Sequence, residues 1–305
     1  MTEETRGEVY DLGYQPYDGP REGRTRSLKA LWVNSVRSTL GIGRGALAWI
    51  IPGLLIGFTI LPAVGIVAAN VIAEPFAEAL PGHPEYYQGV FLVLFVFSAI
   101  AAPQVLCPDR RDGVIALYLV RPITATDYIV ARWAALFTVM LLVVLAGQTL
   151  LFSGLILAAG DPVEYVRENW TDVVRFVASG IVISLLLTTI PLLISSFSTR
   201  RVIAALMIVG SFFLTTAFAA ALSECEATRE GRCEPVTREY ARWFALTGLE
   251  QTPTYVNDQI FGITDDDPRL NALGDFHPAV PGAWFGFLMV SSGALLWRRY
   301  QRIGL

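Results

Sequence analysis

WAALFTVMLLVVLAGQTLLFSGLILAAG, residues 133–160, runs for 28 residues without a single Asp, Glu, Lys or Arg. A charged side chain is costly in hydrocarbon, and a helix of about 20 apolar residues crosses its ~30 Å. The run therefore reads as a membrane-spanning helix. Outward from it, five more uncharged apolar stretches lie at residues 47–73, 89–106, 176–198, 202–223 and 280–297, and all 50 charged side chains, 23 basic and 27 acidic, fall outside the six. The last stretch is the weakest, with Pro281 and several glycines in it. A chain of 305 residues that is 53% hydrophobic could form a large soluble core. Such a domain would not gather its charges into seven blocks between apolar runs. The expected fold is an all-α membrane protein with six transmembrane helices.

The charges between the spans also predict the orientation. One side carries 16 Lys and Arg, the other 7, while the acidic residues divide 9 against 18. By the positive-inside rule, the N-terminal segment and the C-terminus are expected in the cytoplasm of a multi-pass protein of the cell inner membrane. The first 25 residues are polar and show no apolar signal core, so the first span is expected to double as the insertion signal. Residues 26–45 place Leu28, Leu31, Trp32, Ser35, Val36, Thr39 and Leu40 at helical spacing, with Lys29, Asn34 and Arg37 on other faces. That pattern predicts an amphipathic helix in the cytoplasmic interface, ended by Gly41, Gly43 and Gly45. The expected organisation is a tail over 1–25, an interfacial helix over 26–45 and a six-span domain over 46–305 with a long external loop at 224–279.

Several chemistries are excluded by what the chain lacks. A nucleotide-binding P-loop needs a lysine after its glycine-rich turn, and the only lysine is Lys29, preceded by Arg26, Ser27 and Leu28. No span contains a carboxylate, His or Arg, which argues against an ion-coupled secondary transporter and against intramembrane proteases. The two histidines, His83 and His277, fall in expected external loops. Asp265, Asp266 and Asp267 lie near His277, but this reads as a solvated loop, so no metal site and no catalytic residue is expected. Nor is a nucleic-acid partner. The spans retain isolated polar groups, among them Gln104, Gln148, Thr149, Ser184, Thr188, Thr189 and Ser195. Such groups usually bond between helices. Gln104, Gln148 and Thr188 are kept as candidates for a substrate path. Pro52, Pro62, Pro103 and Pro191 lie within spans, where each removes a backbone donor.

The most specific segment is CPDRRDGVIALYLVRPITATDYIVARW, residues 107–133. Four consecutive charges, Asp109, Arg110, Arg111 and Asp112, stand where the second span leaves the hydrocarbon. Gly113 permits a turn, Val114 to Val120 predicts a short apolar surface helix, and Arg121 with Pro122 ends it. Thr124 or Thr126 is then placed to cap the helix that rises past Asp127 and Arg132 into the third span.

This order of acidic residue, Arg, two residues, Gly, apolar stretch and Pro resembles the signature of the second large superfamily of ABC exporter permeases. Asp109, Arg110, Gly113, Pro122 and Arg132 occupy the signature positions, with Asp109 where Glu is usual and Val114 where Thr is usual. The resemblance implies a membrane-spanning exporter subunit working as a homodimer or related heterodimer. It further implies a dimer of separate ATPase subunits, which would bind ATP and Mg, leaving this chain without a cofactor of its own. The loop between the second and third spans would be a cytoplasmic coupling helix seated on that ATPase, with Arg110, Arg111 and Asp112 anchoring the elbow by ion pairs. An alternative is an assembly factor or channel-like subunit that docks a non-ATPase partner through the same loop. In the long external segment, Tyr240 to Leu249 is expected to form a short helix dipping toward the membrane. Cys225 and Cys233 lie close together in an oxidising compartment and are expected to form a disulfide, with Cys107 free on the cytoplasmic side.

Overall fold

The computed structural model describes residues 23–43, 45–72, 82–115, 118, 123–223, 243–262, 277 and 279–303. Among these described residues the regular structure is eight helices, without a strand. They are α1 (Arg24–Thr39), α2 (Ala46–Ile72), α3 (His83–Arg111), α4 (Ala125–Ala158), α5 (Pro162–Ser195), α6 (Arg201–Ser223), α7 (Gln251–Phe261) and α8 (Ala279–Ile303). Six of them, α2 to α6 and α8, are long and apolar enough to cross a membrane, and they coincide with the six expected stretches. The chain is an all-α membrane protein.

Several helices overshoot their apolar stretches: α3 by six residues at its start and five at its end, and α4 and α5 furthest, at their starts, where the first turn is capped. α4 begins at Ala125, eight residues before the uncharged run, because Thr124 supplies an N-cap. At 34 residues it is about 51 Å long, so its charged first turns stand clear of ~30 Å of hydrocarbon. α5 begins at Pro162, where the Asp161 side chain accepts from the Val163 and Glu164 N–H groups at 3.0 and 3.1 Å. Pro at the first helical position loses nothing, because its missing N–H would have had no helical partner. A kink follows at Asn169 (φ −105°, ψ 16°).

α3, α4 and α5 form the centre of the bundle; α2 packs on α3 and α4, α6 on α3 and α5, and α8 on α5 and α4. The core is built of side chains such as Leu94, Leu106, Leu136, Met140, Leu151, Leu187 and Leu192. Neutral polar contacts cross it. Ser98 donates to the Leu187 carbonyl, Trp133 to Thr189 Oγ1 at 3.0 Å, and Tyr86 to the Thr59 carbonyl at 2.8 Å. The Tyr86 contact depends on Gly147, where a Cβ would stand 1.7 Å from the Tyr86 hydroxyl. The outer helices keep large apolar side chains exposed, including Phe58 and Leu61 on α2, Phe213 and Leu214 on α6, and Phe287 and Val290 on α8. Lipid tails are as apolar as leucine, so in a bilayer these faces need no protein cover.

One end of the bundle collects α1, the α3–α4 connection, the α5–α6 turn and the end of α8, and is called here the basic end. α1 is amphipathic as expected, and Gly41, Gly43 and Gly45 after it all have positive φ. It does more than rest on an interface: Leu31, Ser35 and Thr39 are buried, and its main neighbour is α4.

Two expectations at the opposite end are corrected. His83 is not in a loop; it opens α3 and is 6% exposed, stacked on Phe176 at 5.6 Å. Of the short helix expected over 240–249, residues 243–249 are described and 243–245 of these are helical, and the longer helix is α7, just beyond. Pro253 lies in the first turn of α7, where it is tolerated. Ala245, Leu246 and Tyr255 pack with Val280 and Trp284, and Trp284 Nε1 donates to the Leu246 carbonyl at 2.8 Å.

Candidate functional site

The elbow where α3 ends and α4 begins is assembled around one buried cation. Arg132, about two turns into α4, is 3% exposed. It is paired with Asp109 of α3, and its Nη1 donates to Ser35 Oγ of α1 at 2.9 Å. Ser35 in turn donates to the Leu31 carbonyl at 2.6 Å. Asp109 also accepts from the Tyr128 hydroxyl at 2.7 Å, and the Arg132 guanidinium lies 5.3 Å from the centre of the Tyr128 ring. Desolvating a charge is paid back only when its partners are in place, so this cluster fixes α1, α3 and α4 together.

Around it the first turn of α4 is tied on both sides. Asp127 closes a capping box with Thr124, with the Thr124 N–H donating to Asp127 Oδ2 at 3.0 Å and the Asp127 N–H to Thr124 Oγ1 at 3.2 Å. Its two oxygens also take a fork from Arg24 of α1, at 2.7 and 2.9 Å. That contact raises the Arg24 pKa above its ordinary value, chiefly through the hydrogen bond to the carboxylate. Of the two threonines proposed as caps, Thr124 caps. Thr126 instead accepts from Trp297 Nε1 and Gln301 Nε2 of α8, at 3.0 and 2.6 Å.

The residues expected to anchor the elbow by ion pairs divide. Among the described residues Arg110 makes no ion pair; its guanidinium donates to the carbonyls of Ser196 and Ser198 at the α5–α6 turn. The reason is local: α5 ends there, and its last carbonyls lack helical partners. Arg111 and Asp112 do pair, at 2.9 Å, but with side chains 62% and 48% exposed they hold only each other. Gly113 has φ 67° and lets the Val114 N–H reach back to the Asp109 carbonyl at 3.1 Å, closing α3 in the manner of a left-handed C-terminal cap. The Tyr118 N–H bonds to the Val114 carbonyl at 3.3 Å, so a helical turn does follow. Ile115 is buried in the main core. Arg121 and Pro122 lie outside the described residues, as do Cys225 and Cys233. Cys107 is a buried free cysteine.

The three candidates for a substrate path are not brought together. Gln148 is fully buried and clamped to His83, its Oε1 2.6 Å from the ring Nδ1 and its Nε2 donating to the His83 carbonyl at 3.0 Å. Gln104 lies 21 residues further along α3 than His83, about 30 Å away at 1.5 Å per residue. Thr188 is fully buried on α5, one residue beyond the carbonyl that Ser98 bonds. Sequence reasoning missed Ser35, Thr126 and Ser196 as elbow contacts. Ser35 carried a signal, since it sat among apolar positions of an amphipathic helix; a backbone carbonyl such as that of Ser196 leaves none.

Among the described residues no group of His, Cys, Asp and Glu is placed to hold a metal. The arrangement is mechanical: a short connection between two long helices, backed by a buried ion pair and tied to three other elements. A comparison with curated proteins gives no match. The family model described as ABC-2 family transporter protein matches residues 18–237, taking in α1 to α6 and the whole elbow. With more than half of its length so matched, this chain belongs to the ABC-2 family of transporter membrane proteins.

Proposed function

We propose that this chain is the permease subunit of an ATP-driven exporter, energised by a separate ATPase chain docked on the connection between α3 and α4. Two permease copies would face one ATPase dimer, which would carry ATP and Mg. Both termini would lie on the cytoplasmic side of the inner membrane. The observation that carries the reading is the buried Asp109–Arg132 pair with Ser35 beneath it. A force applied to the exposed turn at Arg111 to Val114 reaches α3 through Asp109, α4 through Arg132 and α1 through Ser35, without first bending a flexible loop. Energy has to come from outside the chain, because Lys29 is its only lysine and stands in no P-loop. The basic excess on the elbow side agrees with a cytoplasmic placement.

The test is copurification. Full-length protein extracted in mild detergent from its own host should carry an ATPase subunit, and the complex should hydrolyse ATP. Arg111→Glu should release that subunit without unfolding the permease, because the Arg111 side chain is largely exposed and, among the described residues, its ion pair is with its neighbour Asp112. Isolation of the wild type without any ATPase would sink the proposal.

A further inference from the structure

At the basic end, Arg110, Phe197, Leu295, Arg298, Arg299 and Arg302 line an open cavity of about 490 Å³. Four arginines face one space, and none of them is paired with a carboxylate among the described residues. Like charges held this close repel one another unless an anion lies between them. The protein itself supplies only carbonyl oxygen. Arg110 and Arg299 both donate to the Ser196 carbonyl, Arg299 through Nε at 2.8 Å, which draws the two guanidinium groups onto one acceptor. Each keeps further N–H donors unused, because a guanidinium has five. The Arg299 guanidinium carbon also lies over the Phe197 ring, 4.2 Å from its centre, a second contact that holds the side chain at the cavity wall.

The second wall of the cavity points to what kind of anion belongs there. Phe197 and Leu295 are 58% and 57% exposed, and the adjacent Trp297 is also exposed at the end of a membrane-spanning helix. Tryptophan at such a position marks the boundary between hydrocarbon and headgroups. A soluble anion gains nothing from bare phenylalanine and leucine. A phospholipid has a phosphate that suits an arginine fork and, a few ångströms away, chains that suit the apolar wall.

We propose that this cavity is a binding site for one anionic phospholipid. Arg110, Arg298, Arg299 and Arg302 hold its phosphate, and the start of its chains rests on Phe197 and Leu295. The site joins the end of α3, the α5–α6 turn and α8, so the lipid bridges three elements whose arginines otherwise repel. The inference rests on membrane insertion and on the cavity, and stands whether or not an ATPase docks on the elbow.

The test uses the full-length chain in detergent micelles, incubated with equal amounts of phosphatidylglycerol and phosphatidylcholine of the same chain length and read by native mass spectrometry. The wild type should retain phosphatidylglycerol in preference. Arg298→Gln and Arg302→Gln should each lower that preference about fivefold and together about 20-fold, since a basic side chain at an anionic membrane surface contributes about that factor. Both side chains are exposed, and the single variants keep the test valid should the double variant fold poorly. Millimolar inorganic phosphate should leave the lipid in place. Equal retention of the two lipids, an unchanged preference in the variants, or displacement by inorganic phosphate would each overturn the proposal. Crosslinking of the cavity to an acidic segment of a copurified protein in place of lipid would do the same.

Discussion

The two ends of this bundle are fastened by different chemistry. At the basic end most contacts between distant elements involve a charged group, Arg132 with Asp109, Arg24 with Asp127, and Arg110 and Arg299 on the Ser196 carbonyl, with Thr126 against Trp297 and Gln301 the neutral exception. At the opposite end they are neutral: His83 with Gln148, Tyr86 with the Thr59 carbonyl, Tyr87 with the Phe176 carbonyl and Trp284 with that of Leu246. A neutral bond lost inside a bilayer costs about 1 kcal/mol, because alternative partners exist nearby. A buried charge stripped of its partner costs several times more. The contacts of the basic end are therefore the costlier ones to lose, which is what the proposed coupling through the elbow requires.

The strongest way to break this comparison is Arg132→Leu. It leaves the Asp109 carboxylate facing a hydrophobic side chain and removes the donor to Ser35. The expected loss is about 3–5 kcal/mol in reversible unfolding in detergent. Adding Asp109→Asn should recover part of it, since no bare charge then remains. If Arg132→Leu costs no more than a neutral contact, the two ends do not differ. Gly147→Ala comes next. Its Cβ would overlap the Tyr86 hydroxyl, so Tyr86 must give up the Thr59 carbonyl or α4 must move away from α3. About 1–3 kcal/mol is expected from such overpacking, read in the same unfolding experiment.

The same contrast decides how much of the molecule was legible in the sequence. The six spans were read correctly because exclusion of charge from hydrocarbon acts on every residue of a span and leaves an uninterrupted record. Their ends were not, because capping by Thr124 and Asp161 extends α4 and α5 well into polar sequence. At the elbow, Asp109 and Arg132 were visible as motif positions, yet the ion pair between them was not, being 23 residues apart and set by the angle between two helices. Arg110 was expected in an ion pair and found its partner in a carbonyl, which has no residue signature. His83 was placed in a loop because it lies between two apolar stretches; Gln148 on α4 and the Phe176 ring on α5 together bury it. Gln148 could equally have lined a path or joined two helices, and only its partner decides.

Gln148→Leu sharpens the comparison from the neutral side. The leucine fills much the same space but leaves the His83 ring and carbonyl without the two bonds that Gln148 makes. The expected loss is about 1 kcal/mol, well below that of Arg132→Leu. Substrate turnover should also fall little if Gln148 is only a fastener. A large loss of transport with unchanged stability would return Gln148 to the substrate path.

The effects most telling about function are expected at the exposed turn, where Arg111→Glu also has the smallest effect on stability. A Cβ at Gly113 meets no atom within 4 Å, so the main cost of Gly113→Val is holding a β-branched residue at φ 67°, about 1–2 kcal/mol. Arg111→Glu places two acidic residues side by side at a solvent-facing position and breaks a pair that joins nothing else. Its unfolding should match the wild type, because both side chains are largely solvated. On a stiff elbow with an ATPase seated against it, the two variants should nevertheless lower ATP hydrolysis by the purified complex and loosen the ATPase in copurification, while Arg24→Gln, on α1 and away from the turn, should keep the ATPase bound and weaken only the coupling. Loss of the ATPase with Arg24→Gln but not with Arg111→Glu would put the docking surface on α1, and the exposed turn would then be no more than the end of a helix.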